Sequence, residues 1–139
     1  MSKIQGTLAQ WRDRLRRKEL SPAELVNLTA DAIEADRTTN AYISFDREAA
    51  LHAAAGADIS SPLAGIPMKD TINVLGQPTR CASRLLSPYV APYDATSIRL
   101  LKEAGGIPLG RTNMDEFAMG ASGENSAYGI TRNPEAPDR

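Results

Sequence analysis

One lysine, Lys69, is the residue whose surroundings in the sequence most suggest acid–base chemistry. It closes the stretch PLAGIPMKD, which runs from Pro62 to Asp70 and has the apolar composition of a buried strand. We expect Lys69 to emerge from a dry interior, where desolvation disfavours the ammonium and lets a lysine act as a base. Such a base can activate a serine hydroxyl, directly or through a relay. The alternative is a lysine at a strand end whose ammonium reaches water or pairs with Asp70.

Length and composition limit the other classes of function. With 139 residues the chain suffices for one ordinary domain, and its net charge of −1 lacks the basic excess of a nucleic-acid binder. A single cysteine cannot form an internal disulfide, and no Cys/His cluster predicts a metal site. No apolar run approaches the ~20 residues of a membrane-spanning helix. We therefore expect a cytoplasmic chain without a metal ion, with the sole histidine, His52, on a helix surface.

Local patterns in the first part of the chain predict three helices and a strand. Apolar residues spaced three and four apart predict an amphipathic helix over residues 7–20. The residues SPAE form a capping box that starts a second helix over 21–36, with a serine cap and a proline in the first turn. Residues 40–45 predict a short strand, and residues 46–56 a third, alanine-rich helix that ends near a glycine.

The second part of the chain predicts a crossover between two strands. Residues 79–92 contain two Ser/Ala-Pro pairs and no periodicity, so we expect a loop. A helix begins at Asp94 or Thr96 and stops at a pair of glycines, and residues 107–110 form the next strand. A strand, helix and strand at this spacing predict a parallel, right-handed crossover unit. Residues 113–120, NMDEFAMG, form at most a short helical turn.

Six motifs occur together and in one order along the chain. They are PLAGIPMKD, TRCASRLL (79–86), PYDAT (92–96), LLKEAGGIPLGRTNMDEFAMG (100–120), ENSAYG (124–129) and TRNP (131–134). Together they resemble the amidase signature family. The resemblance implies an α/β fold in which helices pack on a mixed β-sheet, with the sheet incomplete in this chain. It also implies the N-terminal portion of a single amidase domain, in which residues 1–60 are mainly helical and residues 61–139 start the α/β core.

The resemblance implies a Ser–cis-Ser–Lys mechanism. In the family a lysine deprotonates a bridging serine held by a cis peptide, and this serine activates a nucleophilic serine that attacks an amide. Lys69 matches the lysine, and Met119 and Gly120 match the segment that lines the pocket beside the nucleophile. Ordinary core packing is the alternative for Met119 and Gly120. Both serines are expected beyond Arg139, so we expect this chain to be inactive alone.

Within the family, the motifs resemble the branch that works as one subunit of tRNA-dependent amidotransferases. This implies hydrolysis of glutamine to ammonia for the conversion of Glu-tRNA(Gln) to Gln-tRNA(Gln), with B and C subunits as partners and no membrane. It also implies that the partner subunit holds most of the tRNA and uses ATP and magnesium, so no cofactor is bound by this chain. Asp-tRNA(Asn) is the other possible acceptor. The alternatives are a stand-alone amidase of small amides and a truncated, non-catalytic chain that acts only by association.

The stretch before Lys69 departs from the family pattern. The family usually has a longer apolar run between Gly-Ile-Pro and Lys-Asp than the single Met68 found here, and we judge about two residues to be missing. The loss of an even number of residues keeps Lys69 on its original face of the strand, but the loss of two shortens an extended strand by about 6–7 Å. Either the preceding loop is drawn in or Lys69 no longer reaches the serines. We interpret four acidic residues and the cysteine as structural: Asp70, Asp115, Glu116, Glu124 and Cys81.

Overall fold

The computed structural model describes residues 6–36, 38–57 and 65–138. Its helices are α1 (Leu8–Arg16), α2 (Pro22–Ala35), α3 (Arg47–Ala55) and α4 (Thr96–Glu103). Its strands are β1 (Tyr42–Ser44), β2 (Ile66–Lys69) and β3 (Pro108–Thr112), and a 3-10 turn spans Glu116–Ala118. The predicted mixed α/β class is confirmed. The first part of the predicted Pro62–Asp70 strand, up to Ala64, lies outside the described residues.

Side-chain caps explain where the first helices begin. The backbone N–H of Ser21 donates to Glu24 Oε2 at 2.8 Å and the Glu24 N–H donates to Ser21 Oγ at 3.1 Å, which confirms the predicted capping box. At α3 the cap is one-sided: Asp46 Oδ1 accepts a hydrogen bond from the Ala49 N–H at 2.9 Å. Helix α1 ends at Arg16, earlier than predicted, because Lys18 takes a left-handed φ of 57° that a helix cannot continue. His52 is exposed on α3, as predicted.

The chain forms two compact units. The first comprises the described residues within 1–35, 46–66 and 100–109. In it α2 packs against α3, and Arg47 on α3 forms ion pairs with Asp31 at 2.8 Å and Glu34 at 3.0 Å on α2. A cluster of buried leucines lies in and between α1 and α2: Leu15, Leu20 and Leu25. None of the described helices combines the length and apolarity needed to cross a membrane.

The second unit comprises the described residues within 36–45, 67–99 and 110–138. It holds β1, most of β2, the end of β3 and the long loops that follow them. The predicted loop over 79–92 and the predicted short turn within 113–120 are both confirmed. All three residues that the sequence singled out for a site, Lys69, Met119 and Gly120, lie in this unit.

The sheet has the order β1-β3-β2, with β1 antiparallel to the central strand β3. Between β2 and β3, the Ile66 N–H donates to the Ile107 carbonyl at 2.8 Å and the Asp70 N–H donates to the Thr112 carbonyl at 3.3 Å. Both partners advance in the same direction, as in parallel strands, but β3 uses one more residue than β2 over this interval. Gly110 accommodates the irregularity with a φ of 68°, which glycine adopts without steric cost.

Candidate active site

Lys69 lies at the C-terminal end of β2, and its side chain is on the exposed side of the strand. Burial alternates along the strand, so that Met68 is buried while Pro67 and Lys69 are exposed. The prediction that Lys69 emerges from a dry interior is therefore wrong for the part of the chain that is described. The reason is the two-residue period of a strand, which buries alternate residues of an apolar run. No described residue forms an ion pair or a hydrogen bond with the Lys69 ammonium.

Asp70, the next residue, is fully buried and does not pair with Lys69. Its Oδ1 accepts a hydrogen bond from Arg111 Nε at 3.3 Å, and its Oδ2 accepts one from the Ala82 N–H at 3.1 Å. Its backbone N–H donates to Thr112, and its carbonyl accepts from the Cys81 N–H at 3.1 Å. The predicted alternative of a Lys69–Asp70 pair is thus wrong, because the Asp70 carboxylate is already satisfied from two other segments.

Arg111 on β3 is the buried partner of Asp70, with 2% of its surface exposed. Its Nη2 donates to the Ile72 carbonyl at 2.6 Å and to Thr79 Oγ1 at 3.2 Å. Nη1 is buried and has no hydrogen-bond partner in the described structure. Burial lowers the pKa of the Arg111 guanidinium, and hydrogen bonding and charge attraction from Asp70 oppose that shift. The guanidinium therefore joins β3 to the turn after Lys69 and to the loop that contains Thr79.

The loop at Cys81 and Ala82 is held in an unusual backbone conformation. Both residues have a φ of 52°, in the left-handed region that residues with a Cβ rarely adopt. Such conformations persist only where surrounding contacts enforce them, and here the two hydrogen bonds to Asp70 do so. Burial, and then the negative charge of Asp70, raises the pKa of the half-buried Cys81 thiol. A thiol in this setting is a poor nucleophile, in line with the structural role expected for Cys81.

The 3-10 turn at Glu116–Ala118 is connected to the same loop. The Phe117 N–H donates to the Cys81 carbonyl at 2.9 Å, and both Phe117 and Ala118 have positive φ, at 53° and 60°. Cys81 thus joins the turn after Lys69 to the segment before Met119, through its N–H on one side and its carbonyl on the other. Met119 is 78% exposed, so the alternative of ordinary core packing does not describe it within this chain.

Gly120 lies directly over the Asp115 carboxylate. A Cβ atom on Gly120 would lie 2.5 Å from Asp115 Cγ, which is closer than any real contact. Asp115 itself accepts hydrogen bonds from the Gly123 N–H at 3.0 Å and the Asn125 N–H at 2.9 Å. These backbone donors, with Asn125 the larger cause, hold the pKa of the Asp115 carboxyl below its ordinary value. Asp115 therefore has the structural role predicted for it, and Gly120 leaves it room.

Sequence reasoning missed Arg111, which connects most of these segments. Its signal in the sequence is a lone arginine within the otherwise uncharged strand of IPLGRTN. An arginine at such a position needs a polar or acidic partner only if it faces inwards, and its partner Asp70 is 41 residues away in sequence. Among the described residues, no group of three or more His, Cys, Asp or Glu side chains could hold a metal ion.

Comparisons with known proteins agree on one family. The Amidase family model matches residues 24–139. The chain is 97% identical to the A subunit of the glutamyl-tRNA(Gln) amidotransferase of Akkermansia muciniphila, and this match covers 100% of the chain and 30% of that protein. It is 54% identical to the protein of the same name from Methylacidiphilum infernorum, covering 100% of the chain and 29% of that protein. The structure of the corresponding Thermotoga maritima protein matches with a TM-score of 0.71 and 34% identity, over 85% of this chain and 25% of that one.

The match to the A. muciniphila protein bears on chain length as well. It extends over 141 aligned positions, whereas this chain has 139 residues, a difference of two. The chain spans less than a third of the length of the relatives it matches.

Proposed function

Because the chain belongs to the amidase signature family, as its motifs predicted, we propose that it forms the N-terminal part of the A subunit of a tRNA-dependent amidotransferase. The observation that carries the proposal is the 97% identity over the whole chain to a protein of that name. In this role the complete protein hydrolyses glutamine to ammonia, and the ammonia converts Glu-tRNA(Gln) to Gln-tRNA(Gln). The role implies a cytoplasmic protein.

We assign Lys69 the role of base in this reaction. A lysine accepts a proton only in its neutral form, which a desolvated setting favours. Lys69 is exposed in the described structure. The burial that would favour its neutral form therefore has to come from the rest of the complete protein. The same part of the protein is proposed to supply the bridging and nucleophilic serines. The buried Asp70 pairs with Arg111 instead of Lys69, so among the described residues the lysine has no fixed counter-charge.

Met119 and Gly120 are proposed to line the pocket for the glutamine side chain. Their segment is fastened to the turn after Lys69 by the two hydrogen bonds of Cys81. Asp115 lies beneath Gly120 and leaves no room for a side chain there. The backbone of Gly120 is exposed, so a ligand can approach it. We assign tRNA binding mainly to a partner subunit, with B and C subunits completing the complex and ATP and magnesium used by the partner.

The experiment uses a full-length protein that we call the test protein. It is the A. muciniphila protein with the matched region replaced by the sequence of this chain, and the unchanged A. muciniphila protein is the control. Ammonia release from glutamine is measured with and without B and C subunits and glutamate-charged tRNA, and the measurement is repeated with aspartate-charged tRNA. We expect release that depends on the partners and on charged tRNA.

Two other results would replace the proposal. Partner-free hydrolysis of simple amides, at a rate that glutamine and the partners do not exceed, would indicate a stand-alone amidase. Absence of ammonia release by the test protein under every condition, while the control is active, would indicate a chain that acts only by association.

A further inference from the structure

The position of Lys69 depends on its backbone, because its side chain makes no polar contact with the described residues. On the N-terminal side, β2 offers only four residues, and its register against β3 is irregular around Gly110. Within residues 65–138, the side-chain hydrogen bond to this part of the strand runs from Thr112 Oγ1 to the Met68 carbonyl and is long, at 3.4 Å. The strand leading to Lys69 is therefore a weak constraint on where the lysine lies.

On the C-terminal side, Asp70 is a strong constraint. It is completely buried, and both carboxylate oxygens and both backbone polar groups take part in hydrogen bonds. These bonds reach two separate segments, namely β3 at Arg111 and Thr112 and the loop at Cys81 and Ala82. A residue held at four points to two segments cannot shift without breaking several of these bonds, and charge-assisted bonds are the stronger ones in a buried site.

We propose that Asp70 and Arg111 are positioning residues for Lys69: they fix the chain directly after the lysine and keep the Asp70 carboxylate away from its ammonium. This inference rests on the proposed function, since it gives Lys69 the role of base. The position of Lys69 is thus set from Asp70 onwards.

The second part of the proposal concerns charge. A carboxylate one residue from a lysine stabilises the ammonium form if the two groups meet, and this opposes a role as base. Arg111 prevents the meeting because its Nε occupies Oδ1, while the Ala82 N–H occupies Oδ2. In the described part of the chain, the other titratable or charged groups that interact with this pair are the Cys81 thiol and Arg80. Arg80 is half-buried, and its Nη1 donates a hydrogen bond to Ser44 Oγ at 3.4 Å. Because its guanidinium bonds to Ser44 and not to Asp70, Arg80 does not take the place of Arg111.

The test compares variants of the test protein, assembled with B and C subunits, for glutamine hydrolysis as a function of pH. Arg111→Gln removes the charge that holds Asp70. Arg111→Lys keeps the charge and provides a conservative rescue, and it also serves if Arg111→Gln does not fold. Arg84→Gln, which removes an exposed arginine from the same unit, is the matched control. Circular dichroism and co-purification with the partners check that each variant is folded.

We expect Arg111→Gln to lower kcat at least about tenfold with little change in KM, because the substrate pocket persists while the base is misplaced. We also expect the acid limb of its pH–rate profile to move to higher pH by about one unit, because the released Asp70 carboxylate stabilises the Lys69 ammonium. Adding Asp70→Asn to Arg111→Gln removes that shift, since no carboxylate remains. Arg111→Lys recovers part of kcat, and Arg84→Gln matches the parent.

Two outcomes overturn the inference, and they separate it from the proposed function. If Lys69→Ala abolishes hydrolysis but folded Arg111→Gln and Arg111→Lys keep the parental kcat and pH profile, the positioning role is wrong while the proposed function stands. If Lys69→Ala keeps its activity, or the test protein has none, both fall.

Discussion

Gly120→Ala is the substitution whose consequence can be worked out most directly from the structure. The added Cβ would lie 2.5 Å from Asp115 Cγ and 2.7 Å from Asp115 Oδ2, whereas ordinary contacts begin at 3.4 Å. One of the two groups must therefore move by nearly an ångström. The φ of Gly120 is not in the left-handed region, so the effect is steric and carries no backbone strain.

The magnitude follows from the cost of overpacking. Forcing an extra methyl into a filled site costs about 1–3 kcal/mol. If the segment at Met119 moves to relieve the clash, the pocket is distorted. A loss of transition-state stabilisation equal to the overpacking energy corresponds to about a 5- to 150-fold lower kcat/KM. If Asp115 moves instead, its bonds to the Gly123 and Asn125 amides break and the neighbouring loop loosens. Either route lowers the rate of glutamine hydrolysis.

The assay is steady-state ammonia release by the test protein, with two glycine controls. Gly106→Ala also overpacks, against Leu101 at 2.5 Å, but it lies in the first unit, so we expect a lower Tm with kcat/KM of the folded protein unchanged. Gly56→Ala has 3.9 Å of room and is expected to be neutral or to stabilise by about 0.4–1 kcal/mol. Our assignment of Gly120 to the pocket is refuted if Gly120→Ala behaves like Gly106→Ala.

Two further predictions use titrating groups. Since burial raises the pKa of the Cys81 thiol, iodoacetamide at pH 8 should alkylate it more slowly in the folded protein than in the unfolded chain. Mass spectrometry that found equal or faster alkylation of the folded protein would contradict this. The pKa of the Asp115 carboxyl is lower in the folded protein than in the unfolded chain, where it is about 3.9. The carboxylate therefore stabilises the loop fully above the unfolded-chain pKa, and this stabilisation is lost only as pH falls through the lower pKa of the folded protein. The amides of Gly123 and Asn125 should thus stay protected from hydrogen exchange, after correction for intrinsic rates, down to about pH 4. Loss of this protection already at about pH 5 would argue against a lowered pKa of Asp115.

Helix starts were predictable from the sequence because their causes are local. The cap at Ser21 and Glu24 involves residues three apart, and the same holds for Asp46 and Ala49. The parallel relation of β2 and β3 was also predictable, since a strand, a helix and a strand in this order favour it. These features need no knowledge of distant contacts.

The arrangement around Lys69 was not predictable in the same way. Asp70 finds its partner 41 residues further along, and Phe117 bonds to Cys81, so both contacts depend on how loops meet in the fold. The burial of Lys69 was misjudged because composition alone does not say which alternate residues of a short strand face inwards. Positive φ values at residues with a Cβ, as at Cys81, are likewise enforced by tertiary contacts and leave no local signal.

The central claim is that Lys69 is the base of a glutamine-hydrolysing enzyme. Its most direct test is the rate of ammonia release by the test protein with Lys69→Ala, assembled with B and C subunits. Lys102→Ala, which truncates an exposed lysine on α4, is the matched control. We predict that Lys69→Ala lowers kcat by at least about a thousandfold, on the scale of losing a triad member, while the complex still assembles and Lys102→Ala keeps the parental rate. An assembled Lys69→Ala complex that keeps more than about a tenth of the parental rate would contradict the account.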